Sequence, residues 1–145
     1  MANPDLSDAI QDYLKEIYKL GTQSERVSTS ALAKRQRVSP ASASAMVKKL
    51  AALSLVEHAP YRGVSLTGEG EQVALEVIRH HRLLELYLAE TLGIDVDEVH
   101  DEANRLEHVL SEELEARIDK ALGFPTHDPH GAPIPDANLE WPKEG

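Results

Sequence analysis

The sequence has 145 residues, of which 41% are hydrophobic, and its formal net charge at pH 7 is −10. It contains no cysteine, which excludes a disulfide scaffold, a thiolate zinc finger and cysteine catalysis. No apolar run reaches the ~20 residues of a bilayer-spanning helix, and the opening segment lacks the basic and apolar regions of a secretory signal, so a cytoplasmic protein without a membrane span is expected.

The charge is distributed unevenly along the chain. Between Arg26 and Gly63, seven basic residues accompany one acidic residue, Glu57, which gives +6. From Gly63 to the end, six basic and nineteen acidic residues give −13. A basic segment inside an acidic protein favours a polyanion-binding surface that is separate from an acidic body, with chance clustering on a solvated face as the alternative.

Three helices are predicted in the first third of the chain. Apolar residues recur at helical spacing over residues 5–20, which predicts an amphipathic helix from Asp5 to about Leu20. A short second helix is predicted from a Ser28 or Thr29 cap to about Gln36. A third helix then runs to about Leu53, with Ser39 as its N-cap and Pro40 at its first position, where the missing N–H costs nothing. Its inward-facing residues are predicted to be Val47, Leu50 and Leu53.

Two short extended runs, residues 55–58 and 64–66, follow and flank a turn at residues 59–63. Three helices followed by a hairpin are typical of a winged helix-turn-helix, in which the second helix of the pair enters the DNA major groove. The third helix suits this role because its predicted exposed face (Pro40, Ala41, Ser42, Ala43, Ser44 and Lys48) is small and polar, although tight packing against a neighbour is the alternative. The predicted DNA-contacting residues are Arg35, Arg37, Ser39, Pro40, Ala41, Ser42, Ser44, Lys48, Lys49, Tyr61 and Arg62.

A long helix capped by Thr67 is predicted over residues 68–92, and a last helix over residues 96–122. His81 and Glu85 lie inside the predicted buried stripe of the long helix, where a carboxylate needs a cation or strong donors. The other members of this stripe are Ala74, Val77, Ile78, Leu84 and Leu88. The last helix has an apolar stripe of Val99, Ala103, Leu106, Leu110 and Leu114. Beside that stripe lies a polar arc of His100, Asn104, Glu107 and His108.

Imidazole nitrogen combined with carboxylate oxygen suits a divalent transition ion. Without thiolates the mixture favours Mn(II) or Fe(II) over copper, and zinc or another divalent ion is a substitute. A hydrogen-bonded His–Glu network without metal is the alternative. No enzyme is expected, because the inverted zinc motif H-x-x-E-H would need histidine at Asn104 and no G-x-S-x-G motif or P-loop occurs.

Six segments of the sequence together form a specific signature: DYLKEIY, VSPASAS, LTGEG, RHHRLLE, VHDEANRLEHVLS and HGAPIP. They resemble the diphtheria-toxin-repressor family of metal-dependent transcriptional regulators, and more narrowly its manganese-responsive branch. The similarity spans about residues 6–136. It implies a homodimeric repressor in which bound Mn(II) or Fe(II) matches the spacing of the DNA-reading helices to two half-sites of a double-stranded DNA operator.

The resemblance also implies two metal positions. It places Asp12, Asn104, Glu107 and His108 around one ion, and His81, Glu85 and His100 around a second. Asp12 is assigned by the resemblance alone, because on a helical wheel it lies opposite the apolar face of the first helix. Two residues depart from the family pattern: Asn104 stands where relatives have Cys or Glu, and Lys15 stands where manganese-branch relatives can have a second carboxylate.

The sequence therefore predicts a mainly α fold with a small β-hairpin wing. A winged helix-turn-helix is expected over residues 1–67, a helical metal-binding and dimerisation domain over 68–124, and a Pro-rich tail over 125–145 that is a candidate linker to the SH3-like domain of many family members. Two other functions stay open. One is a winged-helix regulator that responds to a non-metal signal, and the other is a metal-buffering or hydrolytic protein with an incidental basic patch.

Overall fold

The computed structural model describes residues 6–21 and 26–143, and within them it contains six helices and one two-stranded sheet. In chain order these are α1 (Asp8–Gly21), α2 (Thr29–Gln36), α3 (Pro40–Ala52), β1 (Val56–Ala59), β2 (Gly63–Leu66), α4 (Gly68–Glu90), α5 (Val99–Leu106) and α6 (Glu112–Ala121). The predicted fold class, mainly helical with a hairpin wing, is confirmed. Asp5, the predicted start of the first helix, lies outside the described residues.

The chain divides after Leu75 into two compact units, here called the N-terminal and the C-terminal unit. The long helix α4 begins in the first unit and continues into the second. In the described part of the chain, no helix combines the length and the apolar character needed to cross a membrane.

Side-chain caps begin α2, α3 and α4 where the sequence predicts them. The hydroxyl of Ser28 accepts a hydrogen bond from the backbone of Ala31 at 3.1 Å, and that of Ser39 accepts one from Ser42 at 3.1 Å. Each bond satisfies a backbone N–H that the first turn of a helix leaves without a partner. Thr67 acts in the same way for α4, accepting from Gly70 at 3.1 Å.

The wing is an antiparallel hairpin whose register pairs Val56 with Leu66 and Ala59 with Gly63. Reciprocal backbone hydrogen bonds of 2.8 Å between Val27 and Val64 join β2 to the segment before α2. Gly63 has a φ of +89°, and a Cβ at this position would lie 2.4 Å from the carbonyl oxygen of Val27. Only glycine fits this close approach, so Gly63 allows the start of β2 to lie against Val27.

Two predicted positions on α3 are wrong. Ala43, predicted on the exposed face, is fully buried, and Leu53, predicted to face inward, is 44% exposed. Ala43 lies four and seven residues before Val47 and Leu50, so these three buried side chains share one face of the helix. Leu53 is rotated away from that face by about 80° and serves as the C-cap residue.

In the C-terminal unit, the predicted buried stripe of α4 is confirmed, with Ala74, Val77, Ile78, Leu84 and Leu88 all buried. The single last helix over 96–122 is wrong: α5 ends at Leu106 and α6 begins at Glu112. The reason is a helix start signal inside the predicted helix, since the hydroxyl of Ser111 accepts from the backbone of Leu114 at 3.1 Å and caps α6. The predicted stripe is therefore interrupted, and Leu106 and Leu114 are 38% and 50% exposed.

The tail after α6 has no helix or regular strand over residues 125–143, but it packs on the C-terminal unit. Ile134 is 2% exposed and joins a core cluster with Leu83 and Leu86 of α4. Arg82 donates to the carbonyl of Pro133 at 2.6 Å, and its guanidinium lies 5.7 Å from the centre of the Trp141 ring. These contacts bring tail residues next to the polar side chains of α4.

Candidate metal centre and nucleic-acid interface

Three donor atoms converge between α4 and α5. The Nε2 atom of His81 lies 3.1 Å from Nδ1 of His100 and 3.5 Å from Oε2 of Glu85, and the latter two atoms are also 3.5 Å apart. His81 and Glu85 are nearly fully buried, whereas His100 closes the solvent side of the group. The structure thus brings together the three residues that the family resemblance assigns to one ion.

The size of this triangle fits a metal ion. Donor atoms bonded to one ion at about 2.0–2.2 Å, with angles between octahedral and tetrahedral values, lie about 2.8–3.6 Å apart. The observed separations of 3.1 to 3.5 Å fall in that range. Two imidazole nitrogens and a carboxylate oxygen are also suitable donors for a divalent transition ion. The residues present therefore fit the ion that the sequence predicts.

The tail adds two residues of ligand type that sequence reasoning missed. Nδ1 of His130 lies 3.8 Å from Oε2 of Glu85, and Asp128 forms a cluster of potential ligands with both of them. The other ring nitrogen of His130 donates to the carbonyl of Val96 at 3.1 Å, so the Nδ1 side of the ring faces Glu85. Irregular backbone has no periodicity to reveal such residues, and the only available signal was the ligand-rich run THDPH.

Glu107 orients the ring of His81. Its carboxylate is 1% exposed and lies 2.9 Å from Nδ1 of His81, so this nitrogen donates to Glu107 and the lone pair of Nε2 faces the donor triangle. Carboxylate–histidine–metal arrangements of this kind fix the tautomer of a ligating histidine.

Burial alone would lower the pKa of His81, but hydrogen bonds to Glu107 and Glu85 raise it above the ordinary value. Burial would raise the pKa of Glu85, but His81 and the charge of His130 hold it below its usual range.

The remaining predicted metal residues are placed as follows. Glu107 and His108 follow the last residue of α5 and lie in a turn, with 3.6 Å between Oε1 and Nε2. Asn104 is exposed on α5, and Asp12 lies on α1 in the N-terminal unit. Their assignment to a common ion stays a prediction of the resemblance.

A second buried polar cluster lies beside this site and was not predicted. Arg79 donates to Glu115 at 2.6 Å, to Asp119 at 3.1 Å and to the carbonyl of Pro135 at 2.9 Å. His80 lies 3.0 Å from Oε2 of Glu115. Burial alone would lower the pKa of His80, but its hydrogen bond and its Coulomb interaction with Glu115 raise it. The pKa of Glu115 is held down by His80 and Arg79 against the effect of its burial.

The predicted DNA-contacting residues lie on the surface of the N-terminal unit. Those of α3 and its cap are exposed: Ser39, Pro40, Ala41, Ser42, Ser44, Lys48 and Lys49. Tyr61, at a φ of +66°, and Arg62 are exposed at the tip of the wing, and Arg37 is exposed at the end of α2. Arg35 pairs with Glu16 of α1 at 2.8 Å, so part of its charge is already neutralised.

Two family models match the chain. The model described as "Iron dependent repressor, N-terminal DNA binding domain" matches residues 5–64, and the one described as "Iron dependent repressor, metal binding and dimerisation domain" matches residues 67–136. Together they cover nearly all of the described residues.

Individual relatives agree with the family models. The chain is 37% identical over 143 residues to the diphtheria toxin repressor of Corynebacterium efficiens, covering 97% of this chain and 62% of that protein. It is 38% identical over 131 residues to the iron-dependent repressor IdeR of Mycobacterium leprae, covering 90% and 57%. A solved manganese-dependent transcriptional repressor in complex with manganese has a TM-score of 0.83 at 48% identity, covering 93% and 62%. The chain thus spans about six tenths of the length of these relatives.

Proposed function

Since the chain belongs to the iron-dependent repressor family, we propose that it is a transcriptional repressor of metal-uptake or metal-homeostasis genes whose binding to a double-stranded DNA operator requires a divalent metal ion. The observation that carries the proposal is the donor triangle of His81, Glu85 and His100, which lies in the unit that follows a winged helix. The proposal assigns the chain no enzymatic activity.

Mn(II) is the proposed ion, with Fe(II) as the alternative. The donor set consists of imidazole nitrogens and carboxylate oxygens, and the sequence has no thiolate to favour copper. The manganese bound in the related repressor structure agrees with this choice. When bound, the ion supplies positive charge and directional bonds to α4 and α5. His81 presents Nε2, Glu85 supplies the buried negative charge, and Asp128 and His130 add donors from the tail.

Operator binding with and without Mn(II), measured in one salt series, tests the function. A metal-activated repressor gains affinity for its operator when Mn(II) is added, because an effector acts only through tighter binding to the DNA-competent state. An operator affinity that does not change when Mn(II) is added would instead indicate a winged-helix regulator that responds to a non-metal signal. Metal binding without salt-dependent DNA binding would indicate a metal-buffering protein.

The role of Asp12 as a metal ligand, which the resemblance implies, is tested separately. If Asp12 is a ligand of the ion assigned to Glu107 and His108, Asp12→Ala is expected to abolish the gain in operator affinity on adding Mn(II). The measurement is operator affinity against Mn(II) concentration for the wild type and the variant. Superimposable curves would remove Asp12 from the metal site.

A homodimer is expected because a two-fold operator requires a two-fold protein. The C-terminal unit also carries exposed apolar side chains, among them Val109 at 75% and Leu114 at 50% exposure. Sedimentation with Mn(II) at micromolar protein concentration is expected to give about twice the 16.0 kDa mass of the chain. A species of single-chain mass under these conditions would contradict this prediction.

The affinity for Mn(II) is expected to fall as the pH decreases, because protons compete for the histidine nitrogens. The pKa of His81 is raised above 6.5, so in the metal-free protein this ring takes up its second proton already above that pH. Glu85, whose pKa is lowered, stays ionised throughout this range. Titration of metal-stripped protein at several values between about pH 8 and pH 6 measures the effect. A constant dissociation constant over this interval would contradict the assignment of His81 as a ligand.

A further inference from the structure

The two consecutive histidines of α4 both contact Glu107, but through different groups. His81 donates from Nδ1 to the Glu107 carboxylate at 2.9 Å, whereas Nδ1 of His80 lies 3.2 Å from the Glu107 backbone carbonyl oxygen. His80 is 3% exposed, so this contact is shielded from water.

Glu107 stands where the helix no longer fixes the backbone. Its N–H makes the last helical hydrogen bond of α5, to Ala103 at 2.9 Å, and the chain then turns toward α6. The carbonyl that His80 contacts points out of the helix end, where the last carbonyls of a helix have no partner within it. The direction of the Glu107 side chain therefore depends on what holds this carbonyl.

The ring of His80 is itself fixed from α6 and the tail. Both of its partners, the Glu107 carbonyl and the Glu115 carboxylate, are hydrogen-bond acceptors, so each ring nitrogen acts as a donor. Arg79 holds the other oxygen of Glu115 at 2.6 Å and reaches Asp119 and Pro135 with its remaining nitrogens. These contacts allow the ring little freedom to rotate.

We infer that His80 is a positioning residue for the metal centre: by holding the Glu107 backbone, it aims the Glu107 carboxylate at His81 and thereby presents His81 Nε2 to the ion. This inference rests on the proposed function, since it assumes that His81, Glu85 and His100 bind a metal. The alternative is that the His80–Glu115 pair only stabilises the core.

Two substitutions, each of which replaces one ring nitrogen of His80 by an amide nitrogen, separate these roles. In His80→Asn the side-chain amide nitrogen takes the place of Nδ1, so the donor to the Glu107 carbonyl is kept and the one to Glu115 is lost. In His80→Gln the amide nitrogen takes the place of Nε2, so the donor to Glu115 is kept and the one to Glu107 is lost. Both variants remove the ring and its charge, and both are expected to lower the melting temperature of the metal-free protein.

The full chain is stripped of metal and titrated with Mn(II). The affinity that is compared between variants is that of the site whose binding is lost in Glu85→Gln. Loss of a partner that orients a ligand typically weakens metal binding by about 10–100-fold. His80→Gln is therefore expected to weaken binding by about tenfold or more, and His80→Asn by less than about threefold. With Co(II) as a spectroscopic probe, the ligand-field absorption is expected to change in His80→Gln and to be kept in His80→Asn.

Equal losses of affinity in the two variants, or no loss in either, would overturn the inference and leave the proposed function intact. A wild-type chain that binds no Mn(II) at the Glu85 site would overturn both. Glu115→Gln provides a second route if His80→Gln does not fold, because the amide keeps the size of the side chain but removes the charge that fixes the His80 ring. An unchanged affinity in Glu115→Gln would contradict the inference.

Discussion

Glu85→Gln is expected to abolish Mn(II) binding at the donor triangle, with a loss of affinity of at least about 100-fold, beyond the upper range for residues that only orient ligands. One oxygen of Glu85 lies within 3.5 Å of His81 Nε2 and His100 Nδ1 and within 3.8 Å of His130 Nδ1. The amide keeps the size of the side chain but removes the buried negative charge that balances the ion.

The effect is measured by titrating metal-stripped protein with Mn(II), and by repeating the operator titration at each metal concentration. Glu90→Gln is the matched control, because it makes the same chemical change on the same helix at an exposed position. If Glu85→Gln retained wild-type affinity, the donor triangle would not be the metal site. Thermal unfolding of both metal-free variants checks that a loss of binding does not reflect a loss of fold.

The double substitution Lys48→Ala and Lys49→Ala is expected to weaken binding to all DNA sequences. Both side chains are exposed on α3, which corresponds to the helix that enters the major groove in helix-turn-helix proteins. Each lysine that neutralises a phosphate releases condensed counterions, so the slope of log affinity against log salt is expected to fall by about two units. The measurement is DNA affinity over a salt series at saturating Mn(II).

Arg117→Ala with Lys120→Ala is the matched control for this experiment. It also removes two positive charges, but from exposed positions on α6 in the C-terminal unit. Its salt slope is expected to equal that of the wild type. If the control lowered the slope and the α3 variant did not, the DNA-binding surface would lie elsewhere on the protein.

Periodic and capped elements were predictable because their signals are local. The stripe of α4 follows from helical spacing, and the positions of His81 and Glu85 inside it follow from the same wheel. The caps at Ser28, Ser39 and Thr67 follow from short sequence patterns. Each of these features depends on residues within about one or two helical turns of one another.

One local signal was masked by a longer apolar pattern, and features that depend on distant contacts were not predictable from local patterns. The break between α5 and α6 was overlooked because an apolar stripe continues through Leu110, although Ser111 carries a local cap signal. His80 was overlooked because its partners Glu107 and Glu115 lie 27 and 35 residues away. Asp128 and His130 lie near Glu85 in a tail that packs on the core through Ile134, and no local pattern reveals this packing.

Because Ile134 packs in the core beside the candidate site, amide hydrogen exchange in the tail is expected to depend on whether an ion is bound. The amide of Ile134 donates to the carbonyl of Thr126 at 2.8 Å, and that of Ala132 donates to Asp128 at 2.9 Å. Local opening of this segment would break these bonds and withdraw Asp128 and His130 from Glu85 at the same time. An ion at Glu85 would lose these two donors if the segment opened, so these amides are expected to exchange with deuterium more slowly as Mn(II) is added.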